Sequence, residues 1–426
     1  MPNSPDETLR RLTQAIERSR ALRAVLVIAA LGACQALFWK EILLRQNFTS
    51  WDKFDLLYPN LLYFADSLRS GILPFWNPLT GPGESLFHNV NTAYLFTPYS
   101  LLYLLFSSFL NPILAHEAVL QCVVLFGGMG AFFFLRRCRV AFLPALFSSA
   151  LYGPLLSNLI LGQPGFLSSV ALFPWLFYWV VSLEDDAEGP RLPVLLFGAL
   201  TLAIFLISGY PFLNMVFVGL AGIFFLSRAI HRYVTRREWP KKAALLRLSL
   251  FFGLLLLAYL AFVLPGMHAY QARYLPFTGD FIPPDRLIRP PFLPARDVVY
   301  LASFDEALKG IFALPGWGIG LGVLTLFALM LGARGALRGA HRGAYLFFMA
   351  AIVLIALYES GHLTRSTSLN RWIGIALFGA EASVLFMTAF SLDGFLRGGR
   401  RKVGKAVRWR TREPVRGGGA RGGGRE

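Results

Sequence analysis

Residues 245–265, LLRLSLFFGLLLLAYLAFVLP, carry one charge, Arg247, in an otherwise apolar run. About 20 apolar residues are what a helix needs to cross a bilayer core. In hydrocarbon a single segment can satisfy its own backbone only as a helix. Ten runs of this kind recur, at about 24–44, 115–135, 140–161, 165–183, 192–209, 211–228, 245–265, 311–332, 344–360 and 373–393. With 55% hydrophobic and 15% charged residues, the 426-residue chain is too apolar for a water-soluble protein of its length. The pattern predicts an all-α polytopic membrane protein with about 10 transmembrane helices.

A net charge of +17 would suit a nucleic-acid binder, but no recognition module accompanies it. The charge sits instead in short loops and tails, where Lys and Arg orient membrane helices. With ten spans and both termini cytoplasmic, 30 of the 41 Lys and Arg fall on the inner side. The spans make residues 24–396 a transmembrane domain, preceded by a basic N-tail (1–23) and followed by an Arg/Gly-rich tail (397–426) of low complexity. Cys34 follows a run that resembles a lipoprotein cleavage site, yet the apolar stretch continues to Trp39, which predicts an uncleaved first helix. Cys34, Cys122 and Cys138 form no disulfide framework.

Segment 95–112 is apolar but short, and counting it as a crossing would send Arg136, Arg137 and Arg139 outside. It is therefore expected to be a re-entrant or interfacial hairpin within a first outer loop at 45–114. Two further outer loops follow at 266–310 and 361–372. Loops this long among tight connections usually carry function.

In the first loop, Phe54, Leu57, Leu61, Phe64 and Leu68 recur at helical spacing, which predicts an amphipathic helix over 51–69 lying at the membrane interface. Asp52 and Asp55 fall off that stripe and share a helical face, unless Pro59 ends a turn there. They are either solvated positions or a proton acceptor at the membrane's outer surface. Trp51, Tyr58, Tyr63, Phe75, Trp76 and Tyr94 suit an aromatic belt.

The order WDKFDLLYP, FADSLRSGILPFWNP, GPGESLFHNVNTAYLFTPYSLLYLLF resembles the opening of the bacterial YfhO-like membrane proteins of the GT-C glycosyltransferase class. Weaker similarity continues through GQPGFLSSVALFPW, SGYPF and TSLNRWIGIALFGAEASVLFMTAFSLDGF, covering most of 25–396. Gln163 and Tyr210 stand where family members often carry His. The resemblance implies a GT-C-like fold and transfer of a sugar from a polyprenyl-phosphate carrier to an envelope acceptor at the outer leaflet. It further implies that Asp52, seven residues before the Pro, is the base, with Asp55 second or orienting it.

The departing phosphate of such a transfer needs cations. Lys53 is either a phosphate contact or a snorkelling interfacial lysine. Arg273, Arg286, Arg289 and Arg296 lie in a Pro-rich, aromatic stretch, where guanidinium forks suit phosphate or lipid head groups. Arg371 matches the family's outer Arg, and His88 is a further outer candidate. His88, His116 and His362 with Asp52, Asp55 and Glu117 could hold a divalent cation, though no HxH or HExxH spacing marks a ligand set. Glu381, inside the last span, is a costly carboxylate.

The rival reading is a transporter or flippase of lipid-linked envelope precursors, a class that usually shows repeats and ionisable residues at the bilayer midplane. A scaffold without catalysis is a third. The topology has a direct check: a cysteine replacing His88 is expected to react with a membrane-impermeant maleimide from the periplasmic side, and protection there would invert the outer face.

Overall fold

The computed structural model describes residues 19–38, 58–78, 84–86, 93–160, 164–184, 192–208, 211–237, 239, 241–279, 329–330, 332–337, 341–359 and 382–397. These residues are predominantly helical. In order they form α1 (Arg20–Phe38), α2 (Tyr58–Arg69), β1 (Trp76–Asn77), β2 (Glu84–Ser85), a 3-10 turn (Ala93–Phe96), α3 (Pro98–Phe106), α4 (Pro112–Arg137) and α5 (Phe142–Ile160). They continue with α6 (Pro164–Glu184), α7 (Leu192–Ser208), α8 (Pro211–Arg236), α9 (Lys242–Gly279) and α10 (Arg342–Glu359), then a final helix α11 over 382–397. β1 and β2 make a small antiparallel ladder, Trp76 opposite Ser85 and Asn77 opposite Glu84.

Four helices are long and apolar enough to cross a membrane, over Pro112–Arg137, Leu167–Glu184, Val216–Thr235 and Lys242–Ala261. Shorter apolar helices stand at four more of the expected positions, Ala21–Leu37, Phe142–Tyr152, Leu192–Ile207 and Arg342–Val353. Proline explains several boundaries: α3, α4, α6 and α8 each begin at one. The ring presets φ, and its missing N–H is one the first helical turn leaves unpaired anyway. Before α4, Asn111 Oδ1 also accepts from the Leu114 amide at 2.9 Å, and Thr97 caps α3 in the same way.

α6 is the packing centre. It lies against α4, α5, α7, α8 and α9, and 89% of its apolar window is buried. Around it runs a phenylalanine core in which Phe134 of α4 meets Phe386 of α11 at 4.9 Å, and Phe177 of α6 meets Phe224 of α8 at 4.9 Å. Edge-to-face contacts of this kind add to plain burial. Pro174 sits inside α6 and removes the amide that would reach the carbonyl four residues back, on Val170. The buried Tyr152 hydroxyl of α5 donates to that carbonyl at 2.8 Å instead. Trp175 of α6 donates through Nε1 to the Phe126 carbonyl of α4 at 2.9 Å, seated against Gly130, where a Cβ would stand 2.6 Å from the indole.

Two expectations change. The stripe over 51–69 was expected at a membrane interface, but Leu61, Phe64 and Ala65 are buried in the protein, with Phe64 edge-on to Phe96 at 5.1 Å. Amphipathicity marks a buried face equally well, and the neighbouring 3-10 turn and α3 supply the cover. Pro59 occupies the first turn of α2, where it costs no hydrogen bond. Of the loop expected over 266–310, residues 266–279 are helical, because α9 runs to Gly279: MHAYQARYL after Pro265 is rich in good helix formers. α3, with 9 residues, spans about 14 Å at 1.5 Å per residue and is too short to cross a bilayer core.

The stretch 332–337 crosses α11 backbone to backbone. A Cβ on Gly332 would stand 2.0 Å from the Ser391 carbonyl oxygen, and one on Gly335 would stand 2.8 Å from Gly394. Gly219 of α8 has open space around it. Gly332→Ala is expected to cost about 1–3 kcal/mol, read as a lower unfolding midpoint in detergent, whereas Gly219→Ala is expected to be neutral or slightly stabilising.

Candidate functional site

At the start of α4, two ionisable side chains are buried one after the other, His116 at 3% exposure and Glu117 at 8%. Burying charge-bearing groups is costly, so their surroundings are worth building up residue by residue. The Asn111 cap fixes the first turn of α4, and both side chains project from that turn. Rings from two other helices close on the imidazole: Tyr58, the first residue of α2, at 6.3 Å and Tyr99 of α3 at 6.0 Å, both edge to face.

A cap of small elements holds those rings in place. Asn77 of β1 donates to Asn60 of α2 at 2.6 Å, a fully buried amide pair. The Leu86 amide donates to the Phe75 carbonyl at 3.0 Å, and Phe75 stacks on Phe96 at 5.8 Å. Ser100 of α3 donates to the Leu95 carbonyl at 2.6 Å, fixing α3 to the 3-10 turn. At the far end of α2, Arg69 bridges Asp66 at 3.0 Å and the Ser107 hydroxyl at 2.6 Å. That exposed ion pair contributes little by itself, but it fastens α2 to the end of α3.

Tyr103 lies under this cap, fully buried. Burial, then the neighbouring Tyr58 and Asp66 against the opposing pull of Arg69, push its phenol up to about 12. Burial also raises Tyr58. Both stay protonated at neutral pH, so they serve as hydrogen-bonding groups and not as bases. The arrangement is a protein-enclosed polar cluster at one end of the bundle, with the His116 imidazole set between the Tyr58 and Tyr99 rings and Glu117 buried next to it in the chain.

The residues expected to act lie mostly elsewhere in the chain. Asp52, Lys53, Asp55, His88, Arg286, Arg289, Arg296 and Arg371 fall outside the described residues, as do His362 and Glu381. The Arg273 backbone lies within α9, and its side chain is outside the described set. Among the described residues, no group of three or more His, Cys, Asp and Glu could hold a metal ion. Of the expected metal set, His116 and Glu117 alone are described, both buried near the start of α4.

The opposite end of the bundle holds two buried carboxylates that the sequence did not single out for pairing. Glu184, which closes α6 at 1% side-chain exposure, takes Arg228 Nε at 2.6 Å and Arg232 Nη2 at 3.1 Å from α8. Asp393 of α11, with no exposure, takes His341 Nε2 at 2.8 Å, Arg397 Nε at 2.7 Å and the Ala141 amide at 2.9 Å. Arg397 also donates to the Arg139 carbonyl, at a residue held in the left-handed region, φ 64°. The legible signal was the i, i+4 pair Arg228 and Arg232 together with the acidic run that starts at the helix-ending Glu184. This end is a set of interhelical fastenings, every carboxylate matched by cations as burial demands.

No protein-family model, curated protein or solved structure matches the chain.

The cap depends on its amide pair. Asn60→Ala leaves the buried Asn77 amide short of its 2.6 Å acceptor and is expected to cost about 1–3 kcal/mol, measured as a fall in the unfolding midpoint. Substitution of exposed Ser70 is expected to change it little.

Proposed function

We propose that the chain is a multi-pass protein of the bacterial cytoplasmic membrane, both termini cytoplasmic, that transfers a sugar from a polyprenyl-phosphate carrier to a cell-envelope acceptor at the outer face. The observation that carries this reading is the enclosed His116, Glu117, Tyr58, Tyr99 cluster under the α2 to α3 cap. It adjoins the chain position of Asp55 and Asp52. The order of motifs from WDKFDLLYP to TPYSLLYLLF, similar to YfhO-like GT-C proteins, supplies the chemistry.

In the proposed step, Asp52 takes the acceptor hydroxyl's proton while that oxygen bonds to the anomeric carbon from the face opposite the carrier. The carbon–oxygen bond to the phosphate breaks, its electron pair leaves with the polyprenyl phosphate, and the configuration inverts. Asp55 orients the base. Cations from Lys53, Arg273, Arg286, Arg289, Arg296, Arg371 and His88 meet the phosphate charge. A proton acceptor of this kind contributes about 10²–10⁴ in rate. Apolar helices suit a carrier whose isoprenoid chain stays in the bilayer.

Transfer from polyprenyl-phosphate sugars in membranes is expected to fall at least roughly a hundredfold in Asp52→Asn, and less in Asp55→Asn, at equal protein level. Full transfer by both variants would remove the base assignment. Passage of the lipid-linked sugar across a proteoliposome without transfer would favour a transporter.

A further inference from the structure

The cap over His116 has an apolar side that nothing above uses. On α3, Leu101, Leu105 and Phe109 recur every four positions and are 65%, 57% and 65% exposed, while Tyr99, Ser100 and Tyr103 on the other face are buried. Phe109 lies past the end of α3 but stays on the stripe, because the amides of Ser107, Ser108, Phe109 and Leu110 still donate to carbonyls three or four residues back. A second exposed piece follows α2. Gly71, at φ 75°, ends that helix with its amide on the Leu68 carbonyl and the Ile72 amide on the Ser67 carbonyl. A residue in the place of Ile72 commonly folds back on an apolar side chain one turn earlier. Here that turn offers Asp66 and Ser67, and Ile72 stays 62% exposed with Leu73 beside it. The Arg69 bond to the Ser107 hydroxyl holds this tip to the end of α3 that carries Leu105 and Phe109.

Neither piece brings charge with it. From Ser70 to Gly83 and from Asn89 to Ala115 the sequence holds no Asp, Glu, Lys, Arg or His. The connection to the membrane is short as well. Asn111, two residues after Phe109, caps α4, which is long and apolar enough to cross a membrane from Pro112 onward. At the other end of α3, the Tyr99 ring lies 6.0 Å from that of His116, near the start of α4. The whole of α3 therefore lies level with the first turns of a membrane-crossing helix.

We propose that Leu101, Leu105, Phe109, Ile72 and Leu73 seat the cap in the lipid leaflet at that end of the bundle, with acyl chains as their partner. An apolar surface this exposed marks a contact with membrane or protein. The membrane is favoured because the surface is continuous with the entry of α4 into hydrocarbon, and because it lacks the polar rim of a protein interface. The stripe on α2 is not the lipid face: Leu61 and Phe64 are buried in protein, and that helix exposes the charged Asp66 and Arg69. The consequence is depth. One helix diameter, about 10–12 Å, separates acyl chains on one face of α3 from Tyr99 and His116 on the other, so the polar cluster lies beside the leaflet and not above it. The surface rests on α4 crossing the membrane and on no sugar chemistry.

The test uses the unaltered full chain in vesicles of phosphatidylethanolamine and phosphatidylglycerol, doped with a phosphatidylglycerol whose acyl chain carries a carbene-generating diazirine. Adducts formed on irradiation are mapped by peptide mass spectrometry, with the exposed Leu256 and Leu257 of α9 as the positive control. Adducts are expected on 101–109 and 72–73 at yields close to those on α9, and none on α2. Leu101→Asp/Leu105→Asp leaves the buried face of α3 unchanged but places charge where hydrocarbon is expected. It is expected to lose most of the adducts on 72–73 as well, while α9 labels as before. Labelling of α9 without 101–109 would overturn the surface and leave it facing water or another protein. Adducts on α2 in their place would overturn it too, as would a double variant that labels at 72–73 like the unaltered chain.

Discussion

The fold depends on a helix that is apolar all round and therefore cannot stop at covering one face. α6 must be enclosed on every side, and α4, α5, α7, α8 and α9 do so. Within that enclosure the backbone still has to be satisfied. Pro174 opens one gap in α6, and Tyr152 from α5 closes it by donating to the Val170 carbonyl. The close approach of α4 depends on Gly130 making room for Trp175, whose indole N–H finds a carbonyl on the helix it packs against. In hydrocarbon surroundings, dispersion and such hydrogen bonds hold helices together, since there is no water to drive them.

The two ends of this bundle are built on opposite principles. One is pinned by charge: Glu184 and Asp393 are withdrawn from water and matched by Arg228, Arg232, Arg397 and His341, joining α6 to α8 and α11 to the start of α5. The other is roofed by small elements held by a buried amide pair, aromatic rings and the exposed Arg69–Asp66 pair, and His116 and Glu117 are buried there. A rigid, charge-locked base with a composite roof at the far end suits chemistry performed at the roof. That asymmetry underlies the proposal of an outer-face transferase.

Much of the helical order was legible in particular residues. Most of the apolar runs read as spans became helices, and in the structure Pro98, Pro112, Pro164 and Pro211 stand at helix starts. The stripe Leu61, Phe64, Leu68 identified α2 as amphipathic but not what it faces; periodicity reports a covered side and says nothing of the cover. Leu61 and Phe64 turned out to be covered by protein. Arg273 was read into a loop because the apolar run ends at 265, whereas the backbone of α9 carries through it. Asp52 and Asp55 stood out only as charges in an oily chain, and His116 only as one histidine among several.

By itself, the sequence determined that this chain folds as helices and that several of them are long and apolar enough for a membrane, because an uncharged run of that length has no other way to satisfy its backbone in hydrocarbon. It determined too where cations would gather. Only the tertiary structure decided which polar groups meet: Glu184 with Arg228 across 44 positions, and Asp393 with the Ala141 amide across 252. It alone brought Tyr58 and Tyr99 onto His116. Contacts of that kind follow from how helices cross, and a crossing is fixed by the fit of Gly130 to Trp175 or Gly332 to Ser391, which no local pattern records.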